Sequence, residues 1–214
     1  MMKISLRNVG KRFNTEWIFR NFSYDFTNGM AYAITGPNGS GKSTLLQIIA
    51  GATICNDGNI KYINGNSISS ENIYRYISIA APYLELIEEM TLMEFLQFHN
   101  KHKRLTTQLP LESIIDIIGL ASSSSKQIRY FSSGMKQRLK LAQAIFSDVT
   151  VLLLDEPTTN LDNHGIDLYY KLISDYCSGK LIIVSSNDKN EYQFCKQVIS
   201  MSDYRGTASA TRGF

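Results

Sequence analysis

One segment of the chain has the residue types and spacing that bind phosphate groups. Residues 36–44 read GPNGSGKST and fit the pattern G-x-x-x-x-G-K-[ST]. Its members are Gly36, Pro37, Asn38, Gly39, Ser40, Gly41, Lys42, Ser43 and Thr44. Glycines let a backbone turn its N–H groups toward an anion, and a helix that begins near Lys42 adds its positive end. We expect Lys42 to contact the β- and γ-phosphates of ATP, Ser43 to ligate Mg²⁺ and Thr44 to contact the α-phosphate.

Two neighbouring acids follow an apolar run later in the chain. Asp155 and Glu156 come directly after residues 151–154, which read VLLL. Ligands of parallel sheets lie beyond the carboxyl ends of the strands. We therefore expect Asp155 to hold Mg²⁺, directly or through water, and Glu156 to orient and deprotonate an attacking water. The alternative is an acid pair that only caps a loop, which the phosphate-binding segment disfavours.

The hydropathy pattern shows the elements that must position these groups. Residues 30–34 form a short apolar strand that leads into Gly36, and the apolar residues after Lys42 have helical spacing. Residues 149–154 and 181–184 are uninterrupted apolar runs, which are typical of parallel strands buried on both faces. Strands that alternate with helices predict an α/β fold with a parallel sheet.

A block of different character interrupts this alternation between residues 83 and 146. Helical patterns occupy residues 91–98, 113–118 and 133–146, which predicts an inserted helical subdomain. Nearer the N-terminus, residues 3–10 and 22–26 have the pattern of strands. The last segment, 206–214, is rich in Gly, Ser, Thr and Ala and is expected to be loose.

Composition limits the class of protein. The chain has 214 residues, of which 43% are hydrophobic and 19% charged, with a net charge of +3. These values fit one globular domain and give no argument for a nucleic-acid partner. Cys55, Cys177 and Cys195 are odd in number and widely spaced, so they predict neither a disulfide framework nor a metal pair. No apolar run approaches the roughly 18 residues of a membrane span, so any membrane part is expected in another chain.

A third motif carries a family resemblance. Residues 131–138 read FSSGMKQR and contain Ser132, Ser133, Gly134 and Met135 at the predicted start of a helix. They resemble the signature of ATP-binding-cassette (ABC) transporter ATPases, usually LSGGQ followed by a basic stretch. A serine at a helix N-terminus makes a second anion site. The resemblance implies that two nucleotide-binding subunits pair head to tail, so that each signature acts in trans on the partner's ATP.

Other segments extend the resemblance over residues 3–203. Residues 157–162, PTTNLD, look like the D-loop of the family, with Asn160, Leu161 and Asp162 as its members. Phe13 matches the aromatic residue that stacks on adenine, although Trp17 and Phe19 compete with it and a lone aromatic is more often part of a core.

The resemblance also implies how the chain is divided. It implies an α/β P-loop NTPase (RecA-like) core with an N-terminal antiparallel β subdomain and an inserted α-helical subdomain. The expected single domain, residues 1–214, has its core and β subdomain in 1–82 and 147–205, its helical subdomain in 83–146 and its tail in 206–214.

The sequence departs from the family at two places. Asn187 stands where the family usually has a histidine. An amide can donate a hydrogen bond to a γ-phosphate but cannot carry a proton, so we expect slower hydrolysis that Glu156 still supports. Alternatively, Asn187 only caps a loop.

The second departure is in the Q-loop, where Pro82 stands at the position of the usual glutamine. This leaves Mg²⁺ ligation and contact with the membrane partner in doubt, although phosphates, waters and Ser43 can complete the shell. Leu84, Leu86 and Ile87 would either offer an apolar surface to a coupling helix or belong to the core.

The resemblance implies hydrolysis of ATP to ADP and phosphate, with Mg²⁺, by a subunit on the cytoplasmic face of a membrane. Its partners would be an integral-membrane permease and a second nucleotide-binding subunit, identical or paralogous. An exporter is favoured because there is a single cassette and no added regulatory domain. The alternatives are a non-transport ABC ATPase and an ATP-locked dimerisation module with little hydrolysis.

Overall fold

Within residues 1–106 and 109–205, which a computed structural model describes, the chain forms two β-sheets. The strands are β1 (Met2–Phe13), β2 (Glu16–Thr27), β3 (Ala31–Thr35), β4 (Asp57–Asn64), β5 (Asn66–Ile68), β6 (Ile77–Ala80), β7 (Val151–Asp155), β8 (Leu181–Ser185) and β9 (Gln197–Ser200). The first sheet is antiparallel with the order β2-β1-β4-β5. The second is parallel with the order β6-β7-β8-β3-β9.

The α-helices lie between these strands in the chain. They are α1 (Lys42–Ile49), α2 (Leu92–His102), α3 (Leu111–Ile117), α4 (Ser133–Ile145), α5 (Asn163–Tyr176) and α6 (Lys189–Tyr192). Helices α2, α3 and α4 all lie between β6 and β7 in the chain, as the helical patterns predicted. Among the described residues, no helix combines the length and the apolar character needed to cross a membrane.

The antiparallel sheet is longer than the sequence indicated. β1 and β2 pair from Lys3 opposite Thr27 to Phe13 opposite Glu16, so the predicted strands at 3–10 and 22–26 were too short. Residues 14–15 form the connection, and Asn14 has a φ of 52°, a left-handed conformation that asparagine tolerates. The hydropathy pattern missed this part because the strand ends near the turn are largely exposed and carry little apolar alternation.

The parallel sheet is covered on both faces. Along β7, Val151 and Leu153 pack in one core with α1, whereas Leu152 and Leu154 pack in another core with α4 and α5. Successive side chains of a strand point to opposite faces, which explains the uninterrupted apolar run. Each fully buried leucine stabilises the fold by about 1.5–3 kcal/mol, so the sheet is a rigid platform for the loops at its carboxyl edge.

The helical segment is fixed by its caps. At the start of α2, the Thr91 side chain accepts from the Glu94 amide while the Glu94 carboxylate accepts from the Thr91 amide. This reciprocal pair defines the helix start. The Ser132 hydroxyl caps α4 in a similar way, by accepting from the Met135 amide at 3.2 Å. The expected loose tail at 206–214 lies outside the described residues.

Candidate functional site

The loop between β3 and α1 has a backbone that only glycine adopts easily. Gly36 has a φ of 143° and Gly41 a φ of 93°. A Cβ atom on Gly41 would lie 2.7 Å from Cγ2 of Ile18 and 2.8 Å from Cδ1 of Phe19. The loop is therefore pressed against β2, and its glycines are required by both backbone conformation and space.

Lys42 is folded over this loop. Its side chain is buried, and Nζ donates to the carbonyl oxygen of Gly36 at 2.7 Å and to that of Pro37 at 3.4 Å. These contacts hold the ammonium group at the mouth of the loop. Among the described side chains, none caps the first turn of α1. Its free N–H groups and the Lys42 charge together form an anion site.

Three buried polar atoms near this loop lack a hydrogen-bond partner among the described residues: Oδ1 of Asp155, Oγ of Ser40 and Oγ of Ser185. Asp155 is 2% exposed and ends β7 directly opposite Ser185 of β8. A buried carboxylate oxygen without a partner is costly unless a cation accompanies it. Mg²⁺ prefers hard oxygen ligands, so Asp155 and the Ser43 hydroxyl form a donor set that fits this ion.

Glu156 has a strained backbone. Its φ is 44°, in the left-handed region that residues with a side chain rarely adopt. Its amide donates to the carbonyl oxygen of Ser185 at 2.9 Å, which holds the turn in place. Such strain costs of order 1–3 kcal/mol and is concentrated at functional sites. Here it places Glu156 in an open groove of about 550 Å³ that Asn38, Thr159 and Asn187 also line.

Asn187 is in contact with the phosphate-binding loop. Its Oδ1 accepts a hydrogen bond from the Gly36 amide at 3.0 Å. This bond uses the acceptor oxygen of Asn187, and its role as a hydrogen-bond donor to phosphate stays a prediction. It leaves the Nδ2 group of Asn187 available in the groove beside Glu156.

The signature segment lies in a different groove. Ser132, Ser133 and Gly134 line it together with Arg138 and residues 160–162. A Cβ atom on Gly134 would lie 3.0 Å from the carbonyl oxygen of Asn160, so the start of α4 contacts the proposed D-loop closely. No hydrogen bond between described residues joins the signature to residues 36–44 of the same chain. Among residues 1–106 and 109–205, Leu161 alone lines both this groove and the one at Glu156.

Two buried side chains that the sequence did not indicate fix residues 157–158. The Glu191 carboxylate accepts from the Thr158 amide at 2.7 Å and from its hydroxyl at 2.6 Å. The Gln137 amide donates to the carbonyl oxygen of Pro157 at 2.7 Å. These bonds tie the segment after Glu156 to both α6 and α4. No local motif marks Glu191 or Gln137, because each acts on residues 20 to 33 positions away.

The three aromatic candidates for adenine stacking differ in accessibility. Phe19 is fully buried and lies under Gly41. The guanidinium groups of Arg12 and Arg20 lie 5.5 and 4.3 Å from the centre of the Trp17 ring. Phe13 is 54% exposed. The Lys11 ammonium group lies 5.3 Å from the centre of the Phe13 ring, and Phe13 is the most exposed of the three rings.

The apolar surface expected after β6 is smaller than the sequence suggested. Leu86 is buried in the core with α2 and α4, so it is not part of a docking surface. Leu84 is half-buried and Ile87 is 37% exposed. Lys140 holds this loop, since its Nζ donates to the carbonyl oxygen of Pro82 at 2.9 Å.

Comparison of the sequence with known proteins agrees with this geometry. A family model described as ABC transporter matches residues 19–159, more than half of the chain. An uncharacterised ABC transporter ATP-binding protein of Bacillus subtilis, YybJ, is 32% identical over 207 residues, covering 94% of this chain and 89% of its own. The lantibiotic transport ATP-binding protein SrtF of Streptococcus pyogenes is 31% identical, covering 89% of this chain and 82% of its own.

Solved structures show the same fold. A dimeric post-hydrolysis state of an ATP-binding cassette bound to ADP and Pi has a TM-score of 0.81 at 22% identity, covering 99% of this chain and 100% of its own. An ATP-bound bacterial exporter of the Atm1 family also has a TM-score of 0.81, at 16% identity, over 93% of this chain and 37% of its own. The phosphate-binding loop, the family model and these relatives agree: the chain belongs to the ABC transporter family, as an ATP-binding and ATP-hydrolysing subunit.

Proposed function

We propose that this subunit hydrolyses ATP in sites formed by two chains. Residues 36–44 of one subunit would hold the nucleotide, and Ser132, Ser133 and Gly134 of the other would cover its γ-phosphate. The observation that carries the proposal is that the signature lines a groove that no residue of 36–44 lines, and that no hydrogen bond between described residues joins the two segments. A head-to-tail pair brings the signature of one chain to the phosphate-binding loop of the other. Closure with ATP and release after hydrolysis would follow from the difference in affinity for the γ-phosphate.

The residues of the site have distinct roles in this proposal. Lys42 stabilises charge on the β- and γ-phosphates from its fixed place over the loop. Ser43 and Asp155 hold Mg²⁺, which when bound neutralises phosphate charge. Glu156, held by its strained backbone, accepts a proton from the attacking water. Phe13, the most exposed of the three candidate rings, stacks on the adenine.

The groove lined by the signature supplies the groups that act on the partner's nucleotide. The start of α4, capped by Ser132, offers its N–H groups and the Ser132 hydroxyl to the partner's nucleotide. Residues 160–162 lie against Gly134 and would transmit the closure of one site to the other through the dimer interface.

Transport is the process that hydrolysis would power. The names of similar proteins refer to lantibiotic transport in Streptococcus pyogenes and to Nod factor export in Rhizobium johnstonii. By analogy, we place this subunit on the cytoplasmic face of a membrane, bound to a separate permease of the exporter type. Leu84 and Ile87 would contribute to the contact with that permease.

The first test concerns catalysis by Glu156. In Glu156→Gln, loss of the general base should lower turnover by about 100-fold or more and leave ATP binding intact. The matched control is Glu112→Gln, which changes an exposed carboxylate in the first turn of α3. Steady-state release of phosphate measures turnover, and isothermal titration measures binding. Turnover equal to that of the control would contradict the role of Glu156.

The second test asks whether the signature acts in trans. Lys42→Ala and Ser132→Ala each disable both sites of a homodimer, so neither protein alone should hydrolyse ATP at the normal rate. A mixture of the two forms dimers in which one site has both groups intact. We expect the mixture to recover a measurable fraction of the wild-type rate. No recovery, in a mixture shown by native mass spectrometry to contain mixed dimers, would contradict the two-chain site.

A further inference from the structure

The peptide unit that joins Pro157 to Thr158 is held at both of its polar groups by buried side chains. Its carbonyl oxygen accepts from the Gln137 amide at 2.7 Å, and its N–H group donates to Oε1 of Glu191 at 2.7 Å. Gln137 is 3% exposed and Glu191 is 4% exposed. Because a peptide unit is planar, holding both groups fixes its orientation.

This peptide unit comes one residue after Glu156, whose backbone is in the left-handed region. The ring of Pro157 fixes its own φ, so little freedom remains between Glu156 and the held unit. On its other side, the Glu156 amide donates to the carbonyl oxygen of Ser185 at 2.9 Å. A strained backbone persists only where the surrounding structure over-determines it. The two buried side chains are therefore part of what keeps Glu156 in its strained conformation.

Glu191 makes two of these bonds and is itself fixed. Its Oε1 accepts from the Thr158 hydroxyl at 2.6 Å as well as from the Thr158 amide. Its backbone amide donates to the carbonyl oxygen of Asp188 at 3.0 Å, and its carbonyl oxygen accepts from the buried Tyr169 hydroxyl at 2.8 Å. Asp188 caps α6 and directly follows Asn187. Glu191 thus joins the turn that contains Asn187 to the turn that follows β7.

We propose that Glu191 is a positioning residue for hydrolysis, which holds the peptide unit after Pro157 and thereby keeps Glu156 in place in the groove that both acids line. This inference rests on the proposed function, in which Glu156 accepts a proton from the attacking water. Glu191 acts through Glu156 and does not need to touch ATP. A small displacement of a reacting group lowers the rate by a large factor. Loss of the Glu191 bonds should therefore lower kcat much more than it changes KM.

The first comparison asks whether the acceptor oxygen of Glu191 is what matters. Glu191→Met removes this oxygen, whereas Glu191→Gln keeps one oxygen that can accept from both Thr158 groups. We expect kcat of Glu191→Met to fall by about tenfold or more, with KM for ATP within about twofold of wild type. Glu191→Gln should stay within about threefold of the wild-type kcat. Phosphate release over a range of ATP concentrations measures both values.

Tyr62→Phe is the matched control for the loss of a buried hydrogen bond. The Tyr62 hydroxyl is buried and donates to carbonyl oxygens at the end of α1, and Tyr62 does not line the groove at Glu156. We expect this variant to lose stability and to keep the wild-type kcat and KM.

The second comparison repeats Glu191→Met in the Glu156→Gln background. If Glu191 acts through Glu156, the added change should slow single-turnover hydrolysis by less than about twofold, since the two residues act as a unit. The loss of stability caused by Glu191→Met in urea should be the same in both backgrounds. An equal fold-loss of rate in both backgrounds would show a general structural effect and would overturn the proposal.

The outcomes separate this inference from the proposed function. If Glu191→Met keeps the wild-type kcat while Glu156→Gln loses turnover, the role of Glu191 is wrong and the proposed function stands. If Glu156→Gln hydrolyses ATP like the wild type, the proposed function itself fails. Should Glu191→Met not fold, Thr158→Val, which removes the hydroxyl bond alone, decides by the same two comparisons.

Discussion

Two glycines of the phosphate-binding loop allow a test that separates the cost of backbone strain from the cost of steric crowding when alanine replaces glycine. Gly41 and Gly39 both have left-handed backbones, with φ of 93° and 79°. A Cβ atom on Gly41 would meet Ile18 at 2.7 Å and Phe19 at 2.8 Å, whereas no described atom lies within 4 Å of a Cβ on Gly39. Gly39→Ala is therefore a control that has the backbone cost without the steric one.

The expected magnitudes follow from these two contributions. An L-residue in the left-handed region costs roughly 1–2 kcal/mol, which is the expected loss of stability in Gly39→Ala. Crowding of a well-packed core adds about 1–3 kcal/mol. Phe19 is fully buried and cannot move aside without disturbing the first sheet, so Gly41→Ala should lose about 2–5 kcal/mol in total.

Urea unfolding without nucleotide, followed by far-ultraviolet circular dichroism, measures both variants. The midpoint should fall further for Gly41→Ala than for Gly39→Ala, with the slope unchanged. The shifted loop should also weaken ATP binding by Gly41→Ala. Equal midpoints for the two variants would refute the reasoning, because they would show that the contact with Ile18 and Phe19 is easily relieved.

Two other predictions concern the residue Asn187 and the titration of His99. Asn187→His should raise turnover, because a histidine can carry the proton that an amide cannot. A flat or lower rate in a phosphate-release assay would show that the site depends on the bond from the Gly36 amide to Asn187. Burial lowers the pKa of His99 from 6.5 to about 4, with Lys103 and His102 adding to the effect. Between these two pKa values the unfolded chain binds more protons than the folded protein does, because the folded pKa is the lower one. The free energy of unfolding therefore falls as the pH falls from 6.5 toward 4. In His99→Gln, the free energy of unfolding should fall less than in the wild type as the pH is lowered from 6.5 to 4, which denaturant unfolding at several pH values measures. A pH dependence of stability equal to that of the wild type would contradict the assignment to His99.

Much of the candidate site follows from local sequence. The pattern from Gly36 to Ser43 predicts a loop between a strand and a helix because glycine spacing and the helix start act within a few residues. The acid pair after an apolar run likewise indicated a strand end at Asp155. The fold class followed from the uninterrupted apolar runs, since only strands covered on both faces need them.

Some features could not be predicted in this way. The extent of β1 and β2 was underestimated, since their ends near Asn14 are exposed and lack apolar alternation. Leu86 lies in the core and not on the surface, because α2 and α4 cover it. These outcomes depend on packing between elements, which hydropathy along a single segment does not contain.

The sequence by itself predicted a phosphate-binding loop after β3, an acid pair at the end of β7 and a signature-like start of α4, because each pattern depends on neighbouring residues. The tertiary structure decided which residues from distant parts of the chain come into contact. It brought Asn187 to Gly36 and Glu191 to Thr158, and it placed the signature in a groove that residues 36–44 do not line. The physical reason is strand order: β3 lies between β8 and β9 and β7 between β6 and β8, so residues far apart in the chain become neighbours only when the sheet forms.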